Sequence, residues 1–200
     1  MRKCIIVIGD IMNNVTYRKA TTDDAYGIEY VAAHSWKETY YDYMPHDYLD
    51  NRVANISNNI DKTRDYLAKK NNYYVAEIDN KIVGIMNYSK EHIVNYGHLD
   101  AIYVLKDYHK LGIGKELFKI ALNGILELGL NRMYLECVHG NPASGFYEKY
   151  GGKLVETMDY PIKDFSVKAD IYLFKDIKSI LIELENEKDI NKKNKYKYSI

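Results

Sequence analysis

The spacing of apolar and polar positions changes several times along the chain, and each change predicts a new element. A short run over residues 15–20 predicts a strand, and the polar cluster at residues 21–24 suits the beginning of a helix over about residues 24–41. Apolar residues at helical spacing predict a second helical region over about residues 47–70, interrupted near Asn58 and Asn59. We therefore expect one strand followed by helices in this part.

The period then becomes that of strands. Residues 73–78 and 81–88 flank Asp79-Asn80, a pattern typical of a tight β-hairpin. A further strand is predicted over residues 96–104. The rest of the chain predicts a helix over about residues 113–128, a strand over 133–138 and a short helix over 142–150. A pair of strands over 153–160 and 167–174 and a last element over 177–187 follow. This mixed order, with one βαβα run, predicts an α/β protein.

Composition narrows the class of protein. With 200 residues and 46% apolar content, the chain can bury one substantial core. The 28 basic and 28 acidic residues balance, so we expect neither nucleic acid nor a membrane as a partner. Two widely separated cysteines argue against disulfides and zinc sites, and the apolar run at residues 4–8 is too short for a signal peptide or a membrane span. We therefore expect a cytoplasmic protein without a metal.

Residues 102–115 combine the end of a strand, a glycine-bearing turn and the beginning of a helix. Gly112 and Gly114 let the backbone approach an anion without interference from a Cβ atom. The first helical turn presents unpaired N–H groups at the positive end of the helix dipole. Such a segment can cradle a phosphate, although a short Gly-x-Gly after a strand also occurs as an ordinary tight turn.

A second motif makes the interpretation of the glycine turn specific. Residues 135–152 read Leu-Glu-Cys-Val-His-Gly-Asn-Pro-Ala-Ser-Gly-Phe-Tyr-Glu-Lys-Tyr-Gly-Gly. The two segments, in this order, resemble motifs A and B of the GNAT acetyltransferase superfamily: the first is similar to its pyrophosphate loop, and the second to its strand, Asn and Phe-Tyr-Glu-Lys-x-Gly helix. The likeness extends over about residues 15–174 and includes the helical segment at residues 35–40.

The resemblance implies the fold and the domain limits. GNAT proteins have a central mixed, mostly antiparallel sheet that is splayed between its fourth and fifth strands and flanked by helices. The acetyltransferase domain would span residues 15–176, preceded by an extension of residues 1–14 and followed by a helix and polar tail at residues 177–200. Met12 is an alternative start of the chain, and a further edge strand at residues 4–8 is the other interpretation of the extension.

The resemblance also implies acetyl-CoA as co-substrate and residues that bind it. The pantetheine arm would pair like an added strand with Ile102, Tyr103 and Val104, and the Val104 N–H would bind the thioester carbonyl. The pyrophosphate would lie on backbone N–H groups of the turn. Those residues are His109, Lys110, Leu111, Gly112, Ile113, Gly114 and Lys115. Asn141 would bind the pantetheine, and Tyr147 would face the sulfur. At position 109 the family has Gln or Arg, so His109 is a departure that is expected to weaken binding without abolishing it.

The catalytic groups implied by the resemblance are an acid and a base. Tyr147 would protonate the departing thiolate, since a phenol keeps its proton at neutral pH yet can give it to a basic leaving group. A Glu that often acts as base in the family aligns with His98, and Asp100 points to the same face two residues on. His98 has an intrinsic pKa suited to the task, and water remains an alternative base.

Each of these residues also has a purely structural interpretation. Tyr147 lies at helical spacing with Ala143, so it fits a core aromatic residue. Asn141 fits the cap of the helix that follows Pro142. His98 fits an ordinary polar strand residue, and the lysines around the turn fit solvated charges.

The resulting hypothesis is an N-acetyltransferase that moves acetyl from acetyl-CoA to a primary amine by direct attack in a ternary complex. The acceptor, a small molecule or a peptide N-terminus, would contact Trp36, Tyr40 and Tyr88, with nearby Tyr41, Tyr43, His46 and the turn before Phe165 completing an aromatic wall. A non-catalytic acyl-CoA-binding module is the rival. A nucleotide-binding regulatory domain is disfavoured, because this chain has no Lys-Ser/Thr pair after the glycines, which such a loop requires. Apolar residues of the last element would either pack against the rest of the chain or form the interface of a homodimer.

Overall fold

The computed structural model of the chain describes residues 14–70, 72–90 and 93–197, and side chains as far as residue 187. The chain divides into two compact units. The first unit contains the described residues up to Tyr88 together with Leu99–Phe118. The second contains those of Ser89–His98 and of the chain from Lys119 onward. The predicted edge strand at residues 4–8 lies outside the described residues.

The described residues form seven strands and six α-helices. The strands are β1 (Thr16–Lys19), β2 (Tyr73–Ile78), β3 (Lys81–Ser89), β4 (Gly97–Val104), β5 (Met133–Val138), β6 (Lys153–Ile162) and β7 (Phe165–Phe174). The helices are α1 (Ala25–Tyr40), α2 (His46–Ala54), α3 (Ser57–Lys69), α4 (Ile113–Glu127), α5 (Ser144–Lys149) and α6 (Ile177–Lys197). Short 3₁₀ turns cover Thr22–Asp24 and Lys106–Tyr108.

The strand order is β1-β2-β3-β4-β5-β7-β6, and the sheet is mostly antiparallel, with one parallel pair between β4 and β5. The predicted mixed α/β fold is therefore confirmed. Two predicted boundaries were wrong. The second helical region breaks after Ala54 rather than at Asn58 and Asn59, because both the backbone N–H and the side-chain amide of Asn55 donate to the Asn51 carbonyl and end α2. The last helix continues to Lys197.

The first unit is built on the hairpin of β2 and β3. Asp79 and Asn80 both have positive φ angles, of 48° and 61°, as a two-residue type I′ turn requires, so the predicted hairpin is confirmed. Ala25, Ile28 and Val31 of α1 pack in a buried cluster with residues of this hairpin. The cluster also includes Leu67, Val75, Ile82, Ile85 and Leu105.

Close packing fixes the beginning of α4 in the same unit. A Cβ atom on Gly84 of β3 would lie 3.1 Å from a methyl group of Leu117 and 3.2 Å from one of Ile113. Both of these α4 residues are fully buried. The first turn of α4, where N–H groups of a helix remain unpaired, is therefore held firmly against the sheet.

The second unit joins β5, β7 and β6 in antiparallel pairs and attaches the first residues of β4 to β5 in parallel. That parallel contact consists of two residue pairs, Gly97 with Met133 and His98 with Tyr134. A Cβ atom on Gly97 would lie 2.4 Å from Ile125 of α4, so only glycine permits this close approach.

The final helix buries apolar residues in the part whose side chains are described, up to residue 187. Ile177 and Leu184 are fully buried and Leu181 is nearly so, whereas Ile182 is half exposed. The alternative of packing within the chain is therefore confirmed for the three buried residues. A homodimer through other surfaces stays a prediction.

An ion-pair network joins β1 and β2 to the turn that precedes α1. Arg18 of β1 contacts both carboxylate oxygens of Asp24, at 2.7 and 2.8 Å, and its Nε donates to Glu77 of β2 at 3.0 Å. The Thr21 N–H also donates to Asp24, at 2.7 Å. Burial by itself would raise the pKa of the Asp24 carboxyl, but the hydrogen bonds from Arg18 and Thr21 hold it below its usual value.

Replacing Asp24 is therefore expected to destabilise the protein. Asp24→Asn should lower the free energy of unfolding at pH 7 by about 1.5–3 kcal/mol, the range for a hydrogen bond to a charged group. Because the folded-state pKa is lowered, the carboxylate's contribution is complete above its usual pKa and is lost as the pH falls through the lower folded value. Urea unfolding at pH 7 and near pH 3 should show the difference between parent and variant shrinking in acid. Asp23→Asn, at an exposed neighbour, is the matched control, and an equal loss in both variants would contradict this account.

Candidate functional site

The glycine turn of the first unit has the backbone shape of an anion cradle. Lys110 and Gly112 adopt positive φ angles of 62° and 79°, immediately before α4 begins at Ile113. The first turn of a helix leaves backbone N–H groups unpaired, and the helix dipole adds positive potential at the same place. A Cβ atom on Gly114 would meet nothing closer than a Val104 methyl group at 3.9 Å, so the approach is open. The turn is compatible with the predicted phosphate site, which stays a prediction.

His109 does not extend into the turn. Its Nε2 lies 2.8 Å from the Val104 carbonyl, so this nitrogen donates and the ring lies back on the end of β4. The side chain therefore fixes the orientation of the last peptide of β4. The prediction that His109 contacts a cofactor stays a prediction.

The end of β4 extends beyond the residue pairs that join this strand to β5. Ile102, Tyr103 and Val104 are half-buried, and the chain is anchored just beyond them by a 2.9 Å hydrogen bond from the Leu105 N–H to the Val83 carbonyl. The parallel pairing with β5 stops at His98. Asp100, between these two segments, accepts a 3.1 Å hydrogen bond from Asn87 of β3.

His98 is held by two neighbours on β5. Its ring stacks on that of Tyr134, with the ring centres 4.4 Å apart and the planes 10° apart. Its Nε2 lies 2.6 Å from Oε2 of Glu136. Glu136 is a residue that the sequence analysis missed, although a lone carboxylate in the apolar strand Met133–Val138 was a signal that could have identified it.

Alternation along β5 and β7 separates two faces of this part of the sheet. Strand residues in register point to the same face, so Leu135 and its partner Tyr172 share one face, whereas Tyr134 and Glu136 occupy the other. The rings of Tyr147 and Tyr172 lie 6.1 Å apart, so α5 covers the first of these faces. Tyr147 and Glu136 therefore belong to opposite faces.

Tyr147 is packed among aromatic rings. It is 8% exposed and lies edge-on to Phe146, with a centre separation of 5.7 Å, in addition to its contact with Tyr172. The structural interpretation of Tyr147 as a core residue is thus compatible with the structure, and its catalytic role stays a prediction.

Asn141 organises the start of α5. Its side-chain oxygen accepts a 2.9 Å hydrogen bond from the Ala143 N–H, and its carbonyl accepts one of 3.0 Å from the Ser144 N–H. The residue is buried. Because α5 begins at Ser144 and its N-cap residue is Ala143, Asn141 stabilises the turn before the helix instead of capping it. Contact of Asn141 with a ligand stays a prediction.

A buried carboxylate ties the segment before Asn141 to β7. Asp170 contacts Nδ1 of His139 at 2.9 Å and accepts a 2.6 Å hydrogen bond from the Thr157 hydroxyl. The His139 N–H also donates to the Lys168 carbonyl at 2.8 Å. These bonds hold the loop that carries Asn141 in one position.

The predicted acceptor residues do not form one cluster of exposed rings. Trp36 packs edge-on to Tyr40, with ring centres 5.3 Å apart, and carries the Arg52 guanidinium 4.3 Å above its ring. Tyr40 is buried. Tyr88 is also buried, and its ring stacks with Tyr74 of the neighbouring strand. Trp36 is half-buried and is the most accessible of the three predicted residues.

Two classes of site lack candidates in the described parts of the chain. No group of three His, Cys, Asp or Glu side chains is placed there to hold a metal ion. Among the helices described, each is too short or too polar to cross a lipid bilayer.

The chain resembles known acetyltransferases in sequence. The sequence model of the acetyltransferase (GNAT) family matches residues 29–152, more than half of the chain. The chain is 27% identical over 158 residues to YuaI, an uncharacterized N-acetyltransferase of Bacillus subtilis (strain 168), and the match covers 77% of this chain and 89% of that protein. It is 31% identical over 104 residues to an N-alpha-acetyltransferase of Sulfurisphaera tokodaii, covering 46% of this chain and 62% of that protein.

A solved structure shares the fold. The PaiA N-acetyltransferase of Thermoplasma acidophilum, in complex with coenzyme A, superposes with a TM-score of 0.59 at 21% sequence identity. The match covers 78% of this chain and 97% of that chain.

The burial of Cys137 in β5 predicts a low reactivity of its thiol. Burial raises the pKa of the Cys137 thiol to about 12; the nearby Asp170 adds to the increase and a hydrogen bond with Asn141 offsets part of it. Since only the thiolate reacts, about one thiol in ten thousand is reactive at pH 8. Peptide mapping after iodoacetamide treatment at pH 8 should find Cys137 unmodified in the folded protein and modified in urea. Rapid labelling of the native protein would contradict this picture.

Proposed function

Since the chain belongs to the GNAT acetyltransferase family, we propose that it transfers the acetyl group of acetyl-CoA to a primary amine by direct attack within a ternary complex. The observation that carries the proposal is the backbone of residues 109–115, in which Lys110 and Gly112 have positive φ angles at the N-terminus of α4. Backbone donors and a helix dipole bind a pyrophosphate whatever the side chains are. Lys110 and Lys115 add positive charge beside it.

The pantetheine arm would follow the phosphate along β4. Because the pairing of β4 with β5 comprises only two residue pairs, the backbone of Ile102–Val104 is suited to pairing with an extended ligand. In this proposal the Val104 N–H binds the thioester carbonyl and the negative charge that develops on its oxygen. The bond from His109 to the Val104 carbonyl holds the end of the strand in position. His109 thus contributes through the backbone.

Two further residues are proposed to act on the pantetheine and on the leaving thiol. Asn141, held at the start of α5, would bind the pantetheine, and Tyr147 would give its proton to the sulfur. In the overall reaction the amine nitrogen forms a bond to the acetyl carbon and the carbon–sulfur bond breaks. An alkylammonium loses two protons on the way to the amide; one ends on the coenzyme A thiol and the other passes to solvent. The first proton has to leave before the nitrogen can attack, and we assign its removal to the pair formed by His98 and Glu136.

The acceptor is proposed as a small amine or a peptide N-terminus. The similarity to an N-alpha-acetyltransferase over part of the chain supports the second of these. Of the predicted acceptor residues, Trp36 is proposed to contact the acceptor directly. Tyr40 and Tyr88 are buried, so they would act by supporting neighbouring side chains.

Gly112 offers a direct test of the phosphate cradle. Gly112→Ala should cost about 1–2 kcal/mol of stability, because an alanine is strained at a positive φ, and should weaken acetyl-CoA binding at least about tenfold by displacing the N–H groups. Isothermal titration calorimetry measures the affinity.

Gly129→Ala is the matched control, since Gly129 has the same φ of 79° at the far end of α4 and nothing within 4 Å of an added Cβ atom. It should lose similar stability and keep its affinity for acetyl-CoA. Equal affinity in the two variants would contradict the assignment of the cradle.

Tyr147 tests the proposed acid. Tyr147→Phe should lower kcat for thiol release by about 100-fold, the lower end of the range for a general acid, while the affinity for acetyl-CoA stays within about twofold. Thiol release followed across a panel of amines gives kcat. An unchanged kcat would show that the hydroxyl has no part in the reaction, and tight acetyl-CoA binding without release in the parent protein would favour the non-catalytic binding module.

A further inference from the structure

One arginine of α2 stacks on an aromatic ring and has no acidic partner within the described ranges. The Arg52 guanidinium carbon lies 4.3 Å from the centre of the Trp36 ring. Its Nε is buried without a hydrogen-bond partner, and among the described residues no carboxylate forms an ion pair with the side chain. An arginine carries five N–H donors and keeps its charge at physiological pH. A buried donor without a partner costs free energy, so an acceptor from outside the chain would stabilise this side chain.

The neighbours of Arg52 on its own helix do not supply that acceptor. The residues one turn before and after it carry no charge, and they are Tyr48, Leu49, Asn55 and Ile56. Asp50 lies 2.6 Å from Nζ of Lys37 on α1 and so has another partner. Arg52 therefore receives no ion pair from α2.

Aromatic rings hold the guanidinium in one orientation. The Trp36 ring packs edge-on to Tyr40, with ring centres 5.3 Å apart, and its centre lies 6.4 Å from that of Tyr48. Tyr40 is buried, so the ring that supports Trp36 is fixed in the core. A guanidinium stacked on a ring keeps its N–H groups in one plane, pointing away from its centre. A fork that is held in this way matches the two oxygens of a carboxylate.

We propose that Arg52 binds a carboxylate of the acceptor, so that the acceptor is an amine that also carries an acid group. The inference deepens the proposed function and rests on it, because Trp36 is the residue proposed to contact the acceptor. The carboxylate belongs either to a small amino acid or to an acidic side chain of a peptide, and the fork would bind both through the same two oxygens. A neutral acceptor of the same length would leave the fork unpaired.

The position of α1 agrees with this role. Oε2 of Glu38 accepts a 3.3 Å hydrogen bond from the Lys106 N–H, two residues after Val104. Trp36 lies two residues before Glu38 on a helix that is about 10–12 Å wide with its side chains, so the Trp36 ring lies within about 25 Å of the Val104 N–H. An acidic side chain within roughly the first seven residues of an extended peptide can therefore reach Arg52 while the peptide amine is at the thioester.

Two matched pairs of acceptors test the inference on the parent protein. One pair is γ-aminobutyrate and its amide. The other is the peptide amide Ser-Gly-Glu-Gly and its Gln counterpart, with the Glu also moved to later positions in longer peptides. The acid should be preferred in kcat/KM by at least about tenfold in one of the pairs, mainly through a lower KM, and the pair that shows the preference identifies the source of the carboxylate. Equal kcat/KM within both pairs would overturn the inference.

Charge variants test the residue itself. Arg52→Gln should abolish the preference for the acid, and Arg52→Glu should reverse it in favour of acceptors with a guanidinium group, which are agmatine and the Arg counterpart of the peptide. Arg64→Gln on α3 is the matched control, because Arg64 is exposed and pairs with Asp61 at 3.2 Å. It should keep the preference of the parent protein.

Acetyl-CoA binding separates this inference from the proposed function. An affinity within about twofold of that of the parent protein shows that each variant is folded. A preference for the acid that survives in Arg52→Gln would overturn the inference and leave the proposed function intact. A parent protein that binds acetyl-CoA and acetylates neither acidic nor neutral amines would overturn the proposed function itself.

Discussion

Only two residue pairs, Gly97 with Met133 and His98 with Tyr134, join β4 to β5, and the proposed chemistry depends on how short this contact is. A longer parallel ladder would use the backbone donors and acceptors of Ile102–Val104, which the pantetheine is proposed to occupy. Without these pairs, β4 and β5 would have no fixed register relative to each other. The glycine at position 97 makes the contact possible, because a Cβ atom there would collide with Ile125.

The same short contact places His98 and Glu136, the pair to which we assign the removal of the acceptor's proton. The pairing that fixes His98 opposite Tyr134 stacks the two rings, and the side chain two residues further along β5 is Glu136. The stacking of His98 on Tyr134 and its bond to Glu136 therefore both depend on the register of β4 against β5. Position 98 departs from the family, which often has a Glu there, and in this chain a carboxylate stands on the neighbouring strand.

Local signals in the sequence predicted local structure well. Asp79-Asn80 predicted the hairpin because both residues tolerate positive φ, and Gly112 predicted the turn before α4 for the same reason. The break between α2 and α3 was misplaced because it depends on how Asn55 bonds to Asn51, which several asparagines nearby could have done equally well. The partnership of His98 with Glu136 joins residues 38 positions apart, and the turning of His109 onto Val104 is a choice between side-chain orientations. Neither leaves a periodic trace in the sequence.

In the proposed function, acetyl-CoA pairs with the end of β4 and fills the turn before α4. Hydrogen–deuterium exchange of the amide groups with and without acetyl-CoA tests it most directly, because a backbone N–H that bonds to the ligand exchanges more slowly. Slower exchange of Val104 and of residues 110–115, with no change in the hairpin of β6 and β7, is the predicted result. Saturating acetyl-CoA that leaves the exchange of Val104 and of the turn unchanged would contradict the account.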